Sequence, residues 1–126
     1  MNIPDHLSYS QQHLWVRQES PESVVCGITD HAQETLGDIV FIEAPATGTE
    51  LSMGQACGIV ESVKTASDLH APVSGTVTEI NQRVLGEPEQ ANATPYESWI
   101  FKLKPTQPGE LAQLLDAEGY RKLLNA

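Results

Sequence analysis

The stretch Val60-Glu61-Ser62-Val63-Lys64-Thr65-Ala66-Ser67-Asp68-Leu69, followed by Ala71-Pro72-Val73-Ser74-Gly75, decides how the rest of the chain is read. A β-branched, apolar run enters Ser62, a short polar turn follows, and a second extended run returns toward Pro72-Val73. The pattern predicts a tight hairpin with Lys64 at or beside its tip, where a side chain projects into solvent. No glycine lies in the turn, so the residues leave the turn type open.

Lys64 is also isolated in charge. From Gln18 to Gln82 it is the only Lys or Arg, set among ten carboxylates. Such a lysine is either an ordinary solvated side chain or an amine needed for chemistry, and its hairpin setting favours the second. The whole chain carries a formal net charge of −10, which argues against nucleic acid and against anionic membrane surfaces. No apolar run approaches a membrane span. The N-terminus, Met1-Asn2-Ile3-Pro4-Asp5-His6, has neither a secretory nor a transit-peptide pattern, so a cytoplasmic location is expected. Cys26 and Cys57 lie in apolar strand-like runs and read as small buried hydrophobes rather than a disulfide. His6, His13, His31 and His70 show no metal-ligand spacing, and no metal site is expected.

At 126 residues the chain suits a single domain, residues 1–126, with one core. Short apolar or alternating runs recur at Leu14–Val16, Val24–Ile28, Ile39–Ile42, Ala56–Val60, Gly75–Ile80 and Trp99–Leu103, with turn formers between them. Many short strands joined by close turns indicate a mainly β sandwich or barrel. Thr29-Asp30 opens a short helix that Gly37 stops. The apolar spacing of Leu111, Leu114 and Leu115, then Tyr120, Leu123 and Leu124, predicts two short C-terminal helices broken around Asp116 and Gly119. Residues 83–98, with Gly86, Pro88, Asn92 and Pro95, read as an extended surface loop. Gly75 reads as a turn residue at positive φ, and His31 as a capping or packing residue of the first helix. Trp15, Tyr96 and Trp99 read as core or loop-anchoring aromatics. The pair Val25-Cys26-Gly27-Ile28 and Ala56-Cys57-Gly58-Ile59 hints at internal repetition.

Glu61-Ser62-Val63-Lys64 with Ser67-Asp68 and Ala71–Gly75 resembles the lipoyl-lysine segment of the glycine cleavage system H protein family. The resemblance extends to Tyr9-Ser10 with His13–Val16, to Gly27–Gln33, to Leu36–Phe41, and to Asn92, Pro95-Tyr96 and Trp99–Lys102. It implies a lipoyl-domain-like barrel–sandwich hybrid with short C-terminal helices, and a non-catalytic carrier rather than an enzyme. It further implies lipoic acid in amide linkage to Lys64, and a shuttle that takes an aminomethyl group from one enzyme to the next while cycling through dihydrolipoyl. The implied partners are the pyridoxal-phosphate-dependent glycine decarboxylase subunit, the aminomethyltransferase, dihydrolipoyl dehydrogenase and a lipoate-attaching enzyme. By the same resemblance Glu61 aids recognition by the attaching enzyme, Asp68 lines the groove where the arm rests, and His31 lies near it.

The sequence departs from the family pattern at Leu14, where a glutamate is usual; a leucine there offers neither charge nor a hydrogen bond to an ammonium group. Pro95–Trp99 is one residue shorter than the common pattern and lacks its glycine, and His70 replaces an aromatic residue or Asn. These departures leave room for an H-like lipoyl relay that donates lipoate to other enzymes. A biotin carrier fits less well, since Val63 and Thr65, not methionines, flank the lysine.

Overall fold

The computed structural model describes residues 1–125. Nine strands form: β1 (Ser8–Tyr9), β2 (Leu14–Ser20), β3 (Ser23–Ile28), β4 (Ile39–Glu43), β5 (Glu50–Leu51), β6 (Ala56–Ser62), β7 (Ala66–His70), β8 (Gly75–Ile80) and β9 (Phe101–Pro105). Four short helices accompany them: α1 (Asp30–Leu36), α2 (Gln82–Gly86), α3 (Gln90–Ala93) and α4 (Ala117–Leu124), with a 3-10 segment at Pro108–Gln113. The strands make two antiparallel sheets, one in the order β1-β2-β3-β9-β8-β5 and one in the order β4-β6-β7.

The main core lies between the sheets. Leu14, Val16, Val24, Cys26, Ile28, Phe101 and Leu103 from the larger sheet meet Ile39, Ile42, Val60 and Leu69 from the smaller. Around Trp15 and Val25 the alternate residues of β2 and β3 do not face water, although Arg17 and Glu19 further along β2 do. Trp15 and Val25 point the other way and pack with Leu7, Tyr9, Ala117 and Tyr120 into a second cluster under α4. That is why Leu14-Trp15-Val16 is apolar throughout: the larger sheet is buried on both faces there. Tyr9 and Tyr120 stack at 4.7 Å in this second layer. The two similar tetrapeptides fall in β3 and β6, one in each sheet.

Three expectations need correction. Residues 83–98 are not an extended loop; α2 and α3 occupy much of that segment, and Val84, Ala91 and Ser98 are buried. Gly86 and Pro88 end one helix and precede the next, and helices of four or five residues fit between such breakers. The C-terminal break lies wholly before Gly119, because Asp116 caps α4 by accepting the Gly119 N–H at 2.7 Å. Gly75 does not serve a positive-φ turn. A Cβ there would lie 2.6 Å from the Lys104 carbonyl oxygen, so the residue is glycine because β8 and β9 pass so closely.

Candidate functional site

The hairpin turn comprises Ser62, Val63, Lys64 and Thr65, between β6 and β7. Neither central residue has positive φ, so this is not a primed glycine turn. Ser62 supplies the closure instead. Its Oγ accepts the N–H groups of Lys64 (3.3 Å) and Thr65 (3.1 Å) and donates to the Thr65 carbonyl, while the Ser62 N–H reaches the same carbonyl at 2.7 Å. The Val63 N–H is held by the Asp38 carbonyl at 3.0 Å, which fastens the turn to the start of β4. The lysine's backbone is thereby fixed while its side chain stays exposed.

The Lys64 side chain lies over Gly37, the left-handed cap (φ 83°) that ends α1. A Cβ on Gly37 would stand 3.4 Å from Lys64 Cε, so glycine serves both the cap and the space the lysine uses. Asn92 on α3 braces this junction from below. Its Oδ1 accepts the Ile39 N–H at 2.8 Å, and its Nδ2 donates to the Gly37 carbonyl at 2.8 Å and to Gln33 Oε1 at 3.1 Å. Among the described residues Lys64 forms no ion pair, although Lys102, Arg17, Arg121 and Lys122 all do.

Beside this junction runs a groove of about 130 Å³ between α1, β2 and the β7 edge. Leu14, Ile28, Leu36, Val60 and Leu69 supply apolar walls, and His13, His31 and Asp68 supply the ionisable groups. Leu14 occupies the wall with 1% of its surface exposed. His13 takes a left-handed conformation (φ 68°) and its ring lies 4.8 Å from that of His31. Its Nδ1 meets Tyr120 Oη at 2.8 Å, and Tyr120 Oη meets Thr29 Oγ1 at 2.8 Å. Thr29 is fully buried and already accepts the Ala32 N–H as cap of α1. Its own hydroxyl proton must therefore go to Tyr120, and Tyr120 must donate to His13 Nδ1. The His13 proton is thus placed on Nε2. Burial, and then the neighbouring His31, push the His13 pKa below the ordinary histidine value of 6.5. Burial raises the Tyr120 phenol to about 12, so it remains a donor.

The structure brings Asp68 and His31 to the same groove and sets Lys64 beside its end, over the residue that follows Leu36. His31 does not cap α1; Thr29 does, because its side chain reaches the Ala32 N–H. Glu61 is elsewhere. It stands on the outer face of the smaller sheet, directly across from Phe41 and Ala66. Sequence reasoning overlooked Ser62, Gly37, Asn92 and Tyr120 as parts of the site. Of these Gly37 left a readable signal, as a helix stop, and Ser62 acts within its own turn; Asn92 and Tyr120 act through contacts between segments distant in the chain.

Two β-sheets packed on a shared core, with a lysine held at an exposed hairpin tip, define the class: a lipoyl-domain-like barrel–sandwich hybrid. Among the described residues no group of three or more His, Cys, Asp and Glu is arranged to hold a metal ion, and no helix is long and apolar enough to cross a membrane. The glycine cleavage H-protein family model matches residues 7–126. Glycine cleavage system H protein 2 of Pseudomonas aeruginosa is 54% identical over 125 residues, covering 99% of this chain and 97% of that protein. The glycine cleavage system H protein of Methylobacillus flagellatus is 55% identical over 124 residues, covering 98% and 99%. The crystal structure of a glycine cleavage system H protein from Mycobacterium marinum superposes with a TM-score of 0.89 at 38% identity, covering 98% of this chain and all of that one. The chain belongs to the glycine cleavage H-protein family.

Proposed function

We propose that the protein is the lipoyl-carrying shuttle of a glycine cleavage system, one carrier domain over residues 1–126, with the lipoyl group in amide linkage to Lys64. The observation that carries this reading is the unpaired, exposed Lys64 on a serine-closed turn beside an apolar groove, in a chain of this family. When attached, the lipoyl group supplies a disulfide–dithiol couple on a long flexible tether. Amide formation removes the one positive charge between residues 18 and 82.

The groove fits such a group. Leu14, Ile28, Leu36, Val60 and Leu69 offer an apolar bed, the His13 Nε2–H offers a donor, and Asp68 is the one carboxylate on the lining. Leu14 carries no charge to offer a cationic aminomethyl cargo, and the Asp68 carboxylate, on the outer face of β7 by register, flanks the groove. The shuttle takes that cargo from the pyridoxal-phosphate-dependent glycine decarboxylase subunit to the aminomethyltransferase, and dihydrolipoyl dehydrogenase restores the disulfide. A lipoate-attaching enzyme loads the arm, and the protein itself catalyses none of these steps. The cytoplasm is its place of work. Tethering raises the local concentration of the sulfurs at each docked enzyme.

The test is reconstituted glycine decarboxylation together with intact mass. The wild type gains a lipoyl adduct and supports turnover, and Lys64→Ala loses both completely. Glycine-dependent turnover by Lys64→Ala would end this reading. Full activity of the wild type alongside Leu14→Glu would show that the cargo needs no carboxylate at position 14.

A further inference from the structure

His13 is held more firmly than packing alone requires. It stands before β2 with a left-handed backbone (φ 68°), a conformation that costs a non-glycine residue free energy. Its N–H donates to the Ser10 carbonyl at 3.2 Å, and its carbonyl accepts the Thr29 N–H at 3.1 Å. Thr29 also reaches the His13 ring through Tyr120, so one residue fixes both backbone and imidazole. Tyr120 is itself set by the second cluster, where it is fully buried and stacked on Tyr9. With Nδ1 taken by Tyr120, Nε2 is the nitrogen left to the groove.

The groove has a near end and a far end. Lys64 stands over Gly37 at the near one. His31, whose ring neighbours that of His13, lies five residues back along α1 from Leu36, about 7.5 Å at helical rise. The chain of a lipoyl amide on Lys64 is long enough to bring its sulfurs to that histidine pair.

We propose that Tyr120 is a positioning residue for the carried group: by donating to His13 Nδ1 it keeps that imidazole uncharged beside the loaded arm, and so slows loss of an aminomethyl cargo. The inference rests on the reading of Lys64 as the lipoyl carrier. Cargo is lost when its amine, having given up a proton, forms a C–N double bond with the freed electron pair and the C–S bond breaks. The sulfur keeps the bonding pair and takes up a proton, and water converts the released iminium ion to formaldehyde and ammonium. An imidazolium at His13 promotes both halves: it repels the ammonium form of the amine, and it supplies the proton to the departing sulfur. A neutral imidazole does neither.

The titratable groups around His13 are Tyr120 on α4, His31 on α1 and Asp68, which flanks the groove from β7. Asp30, on the same helix as His31, is engaged by the Asn2 N–H. Burial and then His31 oppose a charge on His13, Asp68 supports one, and the bond from Tyr120 tips the balance. Charging the ring would turn Nδ1 into a donor and leave one hydroxyl proton of the buried Tyr120–Thr29 pair without an acceptor.

The experiment uses the full-length lipoylated protein, loaded from glycine by a glycine decarboxylase subunit and then separated from it. Formaldehyde release is followed from about pH 6 to about pH 8, and the His13 ring is titrated by heteronuclear NMR in the unloaded protein. At about pH 6, Tyr120→Phe should release formaldehyde about fivefold faster than the wild type, the factor one ordinary hydrogen bond is worth; at about pH 8 the two should be equal. The His13 titration should move upward in this variant. In a His13→Asn background the same change at Tyr120 should leave release unaltered. Tyr9→Phe removes the neighbouring phenol, whose hydroxyl meets the Pro4 carbonyl and not His13, and should match the wild type. A wild-type His13 whose neutral form carries its proton on Nδ1 overturns the inference without any variant. So do release profiles that coincide for the wild type and Tyr120→Phe, or that differ by one factor at every pH, as a merely looser groove would give. A wild type that takes up no lipoyl group overturns instead the reading of Lys64 on which the inference rests.

Discussion

The larger sheet is covered on both faces around Trp15 and Val25, whereas the smaller sheet is covered on one. Trp15 and Val25 are wholly buried beneath α4, on the side of β2 and β3 away from the main core. Phe41, on the outer side of β4, keeps nearly half its surface in water. Burial on two faces makes a rigid base, and burial on one leaves side chains free to meet a partner. The molecule thus separates the part that must hold still from the part that must be handled. Lys64 is built on the second and braced by Asn92 of α3, Gly37 and the end of α1.

The difference is open to attack by mutation. Trp15→Ala removes a fully buried ring that also donates to the Pro95 carbonyl, and should cost about 3–5 kcal/mol in denaturant melts. Phe41→Ser, on the bare face, should cost under about 1 kcal/mol. Comparable losses would dissolve the distinction between the two sheets. Asn92→Ala leaves the Ile39 N–H and Gly37 carbonyl without their partner, and about 2 kcal/mol of stability should go with it. The loss should be accompanied by faster hydrogen exchange at Ile39 than at strand β3; uniform exchange would mean that the brace is not local.

Ser62→Ala should have a smaller effect, about 1 kcal/mol, because it releases the Lys64 and Thr65 N–H groups into a turn already open to water. Its mark is local: Lys64 and Thr65 amides exchange faster while the core amides do not.

The smallest effect is in pH. His13 binds a proton less readily in the folded chain than in the unfolded one, because burial and His31 lower its pKa from 6.5. The unfolded state therefore holds more protons in that window, and stability rises with pH until about 6.5 and then levels. Acidification from that point should lower Tm in the wild type and less so in His13→Asn, which tolerates the left-handed backbone. Asp30 does not blur this window. Its burial opposes ionisation, but the Asn2 N–H, Gln33 and the N-terminal charge outweigh it and hold the carboxyl below 3.8. A wild-type Tm flat from pH 6.5 downward to the carboxylate range would refute the assignment of a neutral His13.

Much of the architecture was legible because it depends on neighbours in the chain. The six apolar runs became strands, since β-branched residues between turn formers have few other ways to bury themselves. Thr29 and Gly37 bounded α1 as read, because a cap is a local contact. The segment 83–98 misled for a related reason. Its breakers are real, but Val84 and Ala91 gain from burial in the main core, and that gain pulls the intervening residues into short helices. Gly75 misled because a close approach of two strands looks, in sequence, like a turn.

The sequence by itself determined the strand content, the first helix and the exposed hairpin that carries Lys64, all of which rest on residues within a few positions of one another. Only the tertiary structure decided the rest. It put His31 and Val60 on one groove and Glu61 on the opposite, bare face of the smaller sheet, because strand register sends alternate residues to opposite sides. It laid Lys64 over Gly37, some 27 positions earlier, and ran a hydrogen-bonded chain from Thr29 through Tyr120 to His13. Contacts of that separation form when the core packs, and no short window of sequence contains them.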